Sequence, residues 1–105
     1  MKKIVNGVRY DTNKMTLIGE ASANCNPGDF QYWEAGLYVS PRSGRYCLAG
    51  RGGPMSRFSQ SVGQNQWSGG EDLIPMGRSD ALEWAEEHLD TEEVEEFFGD
   101  DIEDA

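Results

Sequence analysis

Residues 78–99 run Arg78-Ser79-Asp80-Ala81-Leu82-Glu83-Trp84-Ala85-Glu86-Glu87-His88-Leu89, then Asp90-Thr91-Glu92-Glu93-Val94-Glu95-Glu96-Phe97-Phe98-Gly99. This stretch decides the architecture. Ala81, Trp84, Ala85, His88 and Leu89 recur at i, i+3, i+4, i+7 and i+8, the spacing of one helical face, which predicts a helix over 78–89. Glu83, Glu86 and Glu87 fall off that face. Gly77 stands at the N-cap position, and Ser79 could also serve. Asp90 and Glu93 have the spacing of a capping box, which starts a second short helix over 91–98. Val94, Phe97 and Phe98 form its apolar face, Glu92, Glu93, Glu95 and Glu96 point elsewhere, and Gly99 ends it. Residues 100–105 read as an acidic flexible tail with Ile102 as its only anchor.

Upstream of residue 77 the pattern changes to strands. Asn6-Gly7, between Lys3-Ile4-Val5 and Val8-Arg9-Tyr10, is a type I′ turn signal, because both central positions need φ > 0. Asp11-Thr12-Asn13 is a polar break, and Lys14 to Ala23 alternates loosely as a strand. Phe30 to Val39 reads as an aromatic-rich strand in which Gly36 marks a bulge. After the turn Ser40-Pro41-Arg42-Ser43-Gly44, residues 45–49 return as the second arm of a hairpin. Tyr46 and Leu48 lie on one face of it, Cys47 and Ala49 on the other. Gly50 to Gly70, rich in Gly, Ser and Gln, reads as one long loop pinned by Met55, Phe58, Val62 and Trp67. Leu73-Ile74-Pro75 is an edge strand ending at the proline. The expected fold is therefore α+β. A small antiparallel sheet of about four to five strands is followed by two short C-terminal helices, in a single domain over 1–99.

The chain of 105 residues is long enough for one modest core. Its net charge of −10 hides a strong asymmetry. Residues 1–70 sum to +4 and residues 71–105 to −14, with Arg78 the single Lys or Arg of the second part. Such a field repels nucleic acid and anionic membrane and attracts a basic protein surface. With no long apolar run, no signal peptide or membrane span is expected, and the localisation expected is the cytoplasm. Cys25 and Cys47 could pair, although reduced thiols are the default there. Two cysteines and His88 cannot complete a structural zinc site without carboxylates, so no metal is expected.

Catalysis has little support. The serines lack a nucleophile-elbow pattern, Cys25 or Cys47 with His88 is a chance-level pair, and Gly50-Arg51-Gly52-Gly53 lacks the Gly-Lys-Ser/Thr of a phosphate loop. No enzyme activity and no cofactor are expected. His88 suits the negative end of the first helix dipole. Tyr32, Trp33, Tyr38, Tyr46 and Phe58 fit core packing better than a base-stacking platform. The candidate partner-binding residues are Glu83, Glu86, Glu87, Glu92, Glu93, Glu95 and Glu96. Glu83/Glu87 and Glu92/Glu96 are like-charged i, i+4 pairs, which cost local stability and are better tolerated where a partner needs the charge. The alternative is an interaction or regulatory module that docks through Trp84, Phe97 and Phe98.

Three stretches carry a resemblance: residues 3–12, Leu37-Tyr38 through Gly50-Arg51-Gly52-Gly53-Pro54-Met55-Ser56, and Ile74-Pro75 followed by Ala81-Leu82-Glu83-Trp84. Together they resemble a group of small acidic accessory proteins carried by phages, plasmids and other bacterial mobile elements. Anti-CRISPR inhibitors, several of them DNA mimics, are among these. Gly77 departs from the Ser or Thr cap of similar sequences. The resemblance implies a protein inhibitor of a nucleic-acid-binding defence effector of the bacterial host, with a Cas9-like target favoured. The carboxylates would occupy the lysines and arginines that otherwise hold DNA or read its PAM.

Overall fold

In the computed structural model, residues 1–26, 28–63 and 66–105 are described, without the side chains of 60–68. The expected pinning by the Val62 and Trp67 side chains falls on these and lies outside what is described. Strands β1 (Lys2–Val5) and β2 (Val8–Asp11) form the N-terminal hairpin. Asn6 and Gly7 take φ of 51° and 80°, as the type I′ turn requires. The polar break after it is a 3-10 turn, Thr12–Lys14, capped by the Asp11 carboxylate.

The main sheet has four antiparallel strands in the order β3-β4-β5-β8, with β3 Thr16–Ser22, β4 Trp33–Val39, β5 Tyr46–Gly52 and β8 Gly70–Met76. The bulge lies in β3, where Ile18 is the extra residue between Leu17 and Gly19, and not at Gly36. Gly36 pairs regularly with Glu20 and Ala49; Leu17 and the Tyr38 ring crowd the space a side chain there would take.

The long loop expected over 50–70 is also corrected. β5 runs on to Gly52, β6 (Gln60–Gly63) and β7 (Gln66–Ser68) form another hairpin, and β8 begins at Gly70. Glycines mask strand propensity, yet a ladder can continue through them where the partner strand supplies the register. Phe58 does pin the connection, being buried, whereas Met55 is 65% exposed. β8 continues through Pro75 to Met76. Proline is tolerated there because β8 is an edge strand. On that edge Leu73 gives its N–H to the Asp72 carboxylate (2.8 Å), and Pro75 has none to give. Both features leave a second strand few donors to pair with.

Helices α1 (Arg78–His88) and α2 (Thr91–Phe98) pack on one face of this sheet. Gly77 caps α1 without a side-chain bond, while the Asp90 carboxylate accepts from the Glu93 N–H at 2.9 Å to start α2. Their apolar faces meet Ile18, Leu37, Tyr46, Leu48 and Phe58 from the sheet side, through Ala81, Trp84, Ala85, Val94 and Phe98. On the opposite face, Tyr10 of the hairpin packs with Cys47 and Leu73. The split of Tyr46 and Leu48 from Cys47 and Ala49 is the one that strand alternation predicts. Gly99 has right-handed φ/ψ, so α2 runs into a 3-10 turn, Gly99–Asp101, and does not stop at a left-handed cap. Asp101, not the exposed Ile102, anchors the C-terminal residues, through Arg78.

Candidate partner-binding surface

α1 and α2 are ordered by their buried faces, and this fixes where their carboxylates stand. Glu83, Glu86, Glu87, Glu92, Glu95 and Glu96 are all exposed. Glu93 is half-buried: its Oε2 stands 2.6 Å from where a Cβ on Gly19 would lie, beside Leu89. It therefore belongs to the seam between α2 and β3, and its N–H serves the cap. The charged surface consists of the other six.

Little within the chain neutralises them. Among the described residues no cation pairs with Glu83, Glu86, Glu92, Glu95 or Glu96; Glu87 has His88 Nε2 at 3.6 Å. Among the described residues, no Lys or Arg outside the helices forms an ion pair with them, and Arg78 within α1 is itself engaged. Arg51 bonds Glu34 on the sheet, and Arg78 bonds Asp101. Like-charged neighbours on both helices are thus left facing solvent, each pair costing a few tenths of a kcal/mol, about 0.2–0.5.

The apolar docking residues named from sequence stand differently. Trp84 is 5% exposed and Phe98 is fully buried, and Phe97 packs against the same core. The sheet covers most of this face, since periodicity marks an apolar face but not which body covers it. His88 ends α1 as expected, with its ring centroid 4.9 Å from those of both Trp33 and Trp84. Cys47 lies in the core cluster on the opposite side of the sheet, so it makes no pair with His88, and both cysteines are free thiols. Burial pushes the Cys47 thiol up to about 11. The aromatics do not form one platform. Tyr46 and Phe58 are buried under the helices, and Tyr38 packs on the other face.

One polar arrangement is not evident from sequence reading. On the sheet face away from the helices, an open cleft of about 500 Å³ holds Tyr32, Glu34 and Arg51. The Tyr32 hydroxyl donates to Glu34 Oε2 at 2.7 Å and Arg51 Nε donates to Oε1 at 2.5 Å. The bond from Tyr32, then that from Arg51, holds the Glu34 carboxyl below its ordinary range, and the same bond pushes the Tyr32 hydroxyl up. Its signal was register. Once Leu37 is set opposite Leu48, Glu34 must lie opposite Arg51. Both carboxylate oxygens are occupied, and the Arg51 bond fastens β4 to β5.

No helix among the described residues is long and apolar enough to cross a membrane. Compared with known protein families, curated proteins and solved structures, the chain matches none.

Proposed function

We propose that the chain is a binding protein that presents the carboxylates of α1 and α2 to a basic, nucleic-acid-binding protein and keeps nucleic acid from it. The observation that carries this is the set of six exposed glutamates on two packed helices, five of them without an ion-pair partner among the described residues. Ordered elements give the charges a fixed spacing, which a solvated tail would not. The resemblance to anti-CRISPR inhibitors supplies the class of target, a bacterial defence effector with a basic nucleic-acid channel, Cas9-like in the favoured case. The host cytoplasm is where such a target resides. No catalysis, metal or cofactor enters this reading.

The test is an interference assay in bacteria carrying a Cas9-type system. The wild-type chain is expected to protect an incoming target plasmid. A variant with Glu86, Glu87, Glu92 and Glu96 all changed to Lys is expected to lose protection while keeping the wild-type circular dichroism, because none of the four is buried. Binding in vitro should weaken steeply with salt, as exposed charges are screened over about 8–10 Å. Undiminished protection by the lysine variant would sink the reading.

A further inference from the structure

Helix α1 borders a trough. Two depressions of about 350 and 430 Å³ lie side by side and share Arg57, Trp84 and Glu87. In the larger, Ile74, Pro75 and Met76 of β8 make an apolar floor, and Asp80, Glu83 and Glu87 stand along the α1 side. Their spacing of three and four residues stacks these carboxylates on one flank of the helix. In the smaller, Trp33, Met55 and His88 form the wall. Met55 donates its N–H to the carbonyl of Phe30, and these two side chains, each 65% exposed, are the most exposed large hydrophobics among the described residues.

We infer that this trough between α1 and β8 docks an extended basic segment of a partner protein, with Lys or Arg alternating with bulky apolar residues. The inference rests on the acidic surface being partner-binding, and it assigns one segment of that partner to the α1 flank, the α2 carboxylates facing the rest of the partner. Charge complementarity chooses the occupant. Three carboxylates against the one guanidinium of Arg57 favour a cation and oppose phosphate. Spacing chooses the conformation. Glu83 and Glu87 are four residues apart, about 6 Å along the helix axis. Same-side residues of an extended chain repeat at about 6.6 Å. Basic side chains on one side of the segment therefore meet α1 while alternate apolar ones meet Ile74, Met76 and the exposed Met55. The segment does not add a strand, because the β8 edge lacks free donors at Leu73 and Pro75.

The test titrates the full chain by NMR with two nine-residue synthetic peptides, one alternating Lys and Leu, the other Lys and Ser. The Lys–Leu peptide is expected to bind about tenfold more tightly and to shift the Trp84 indole and the Ile74 and Met76 methyls. Glu83→Gln with Glu87→Gln should loosen it by about three- to tenfold, and Arg57→Ser should tighten it by about two- to fivefold. Glu92→Gln with Glu95→Gln and Glu96→Gln should loosen it by less than the α1 pair does, because α2 acts on the trough only through longer-range charge. If this α2 set loosens the peptide as much as the α1 pair, the trough is overturned and the acidic surface survives. If no glutamine variant alters the binding, or neither peptide binds, the trough is overturned, and the plasmid-protection assay decides the acidic surface separately. If the chain alone sediments as a dimer that Met55→Ser dissociates, the occupant is a second copy and the inference is overturned.

Discussion

Arg78 holds Asp101: Nε stands 2.5 Å from Oδ2, joining the first residue of α1 to the turn that follows α2. The same guanidinium donates to the Tyr46 hydroxyl at 2.8 Å and lies 5.9 Å from the ring centroids of Tyr46 and Phe98. The single Lys or Arg of the acidic third thus serves the fold. Arg78→Ala is expected to lower the thermal midpoint, and Arg78→Lys to restore only part of it, because an ammonium cannot reproduce the planar fork. The difference from wild type should narrow in high salt. Melting curves of the three proteins at low and high ionic strength check this.

Gly50 pairs with Ala35 on one side and Asp72 on the other, and a side chain there would run into the backbone of Glu34 and Ala35. Backbone in the middle of a sheet cannot step aside. Gly50→Ala should destabilise by about 1–3 kcal/mol, the usual cost of overpacking. Gly36→Ala should cost less, because it meets the side chains of Leu17 and Tyr38, and Leu17 is 42% exposed. Denaturant titration of both variants measures the contrast.

Cys25 is exposed and Cys47 fully buried, with its thiol pushed up from 9.0 to about 11. At pH 8 that shift alone cuts the thiolate fraction by about a hundredfold, and burial slows attack further. An alkylating reagent should modify one cysteine per native chain within the time that labels Cys25, and two in denaturant. Mass spectrometry of the labelled chain counts them.

Glu34 has a lowered folded pKa, so its contribution has a defined direction. It is fully present above the ordinary glutamate value of 4.5 and is lost as pH falls through the lowered folded value. Glu34→Gln should therefore flatten the acid limb of the stability curve while changing little once both limbs have merged below it. Thermal midpoints from pH 7 down to pH 3 test the sign.

Periodicity made the helices and the alternation of β5 legible, since burial of Ala81, Trp84, Val94 and Phe98 is what the 3.6-residue pattern encodes. The Asn6-Gly7 turn was legible because few residues accept positive φ. The strands inside 50–70 were not, because Gly50, Gly52 and Gly70 carry no side-chain pattern and gain their strand from the neighbours they pair with. Of the candidate acids, sequence could separate exposed from buried faces but not see that Glu93 turns to Gly19, a contact set by how α2 lies on β3. The Tyr32–Glu34–Arg51 network needed register, which exists only between strands.

Lys3 Nζ reaches Asp72 Oδ1 at 2.7 Å, across 69 positions of sequence. During synthesis the first hairpin emerges long before its anchoring partner exists. Its Tyr10 must wait for Cys47 and Leu73 before it can be buried. Burial of the hairpin is thus timed by the synthesis of β8, far downstream of it.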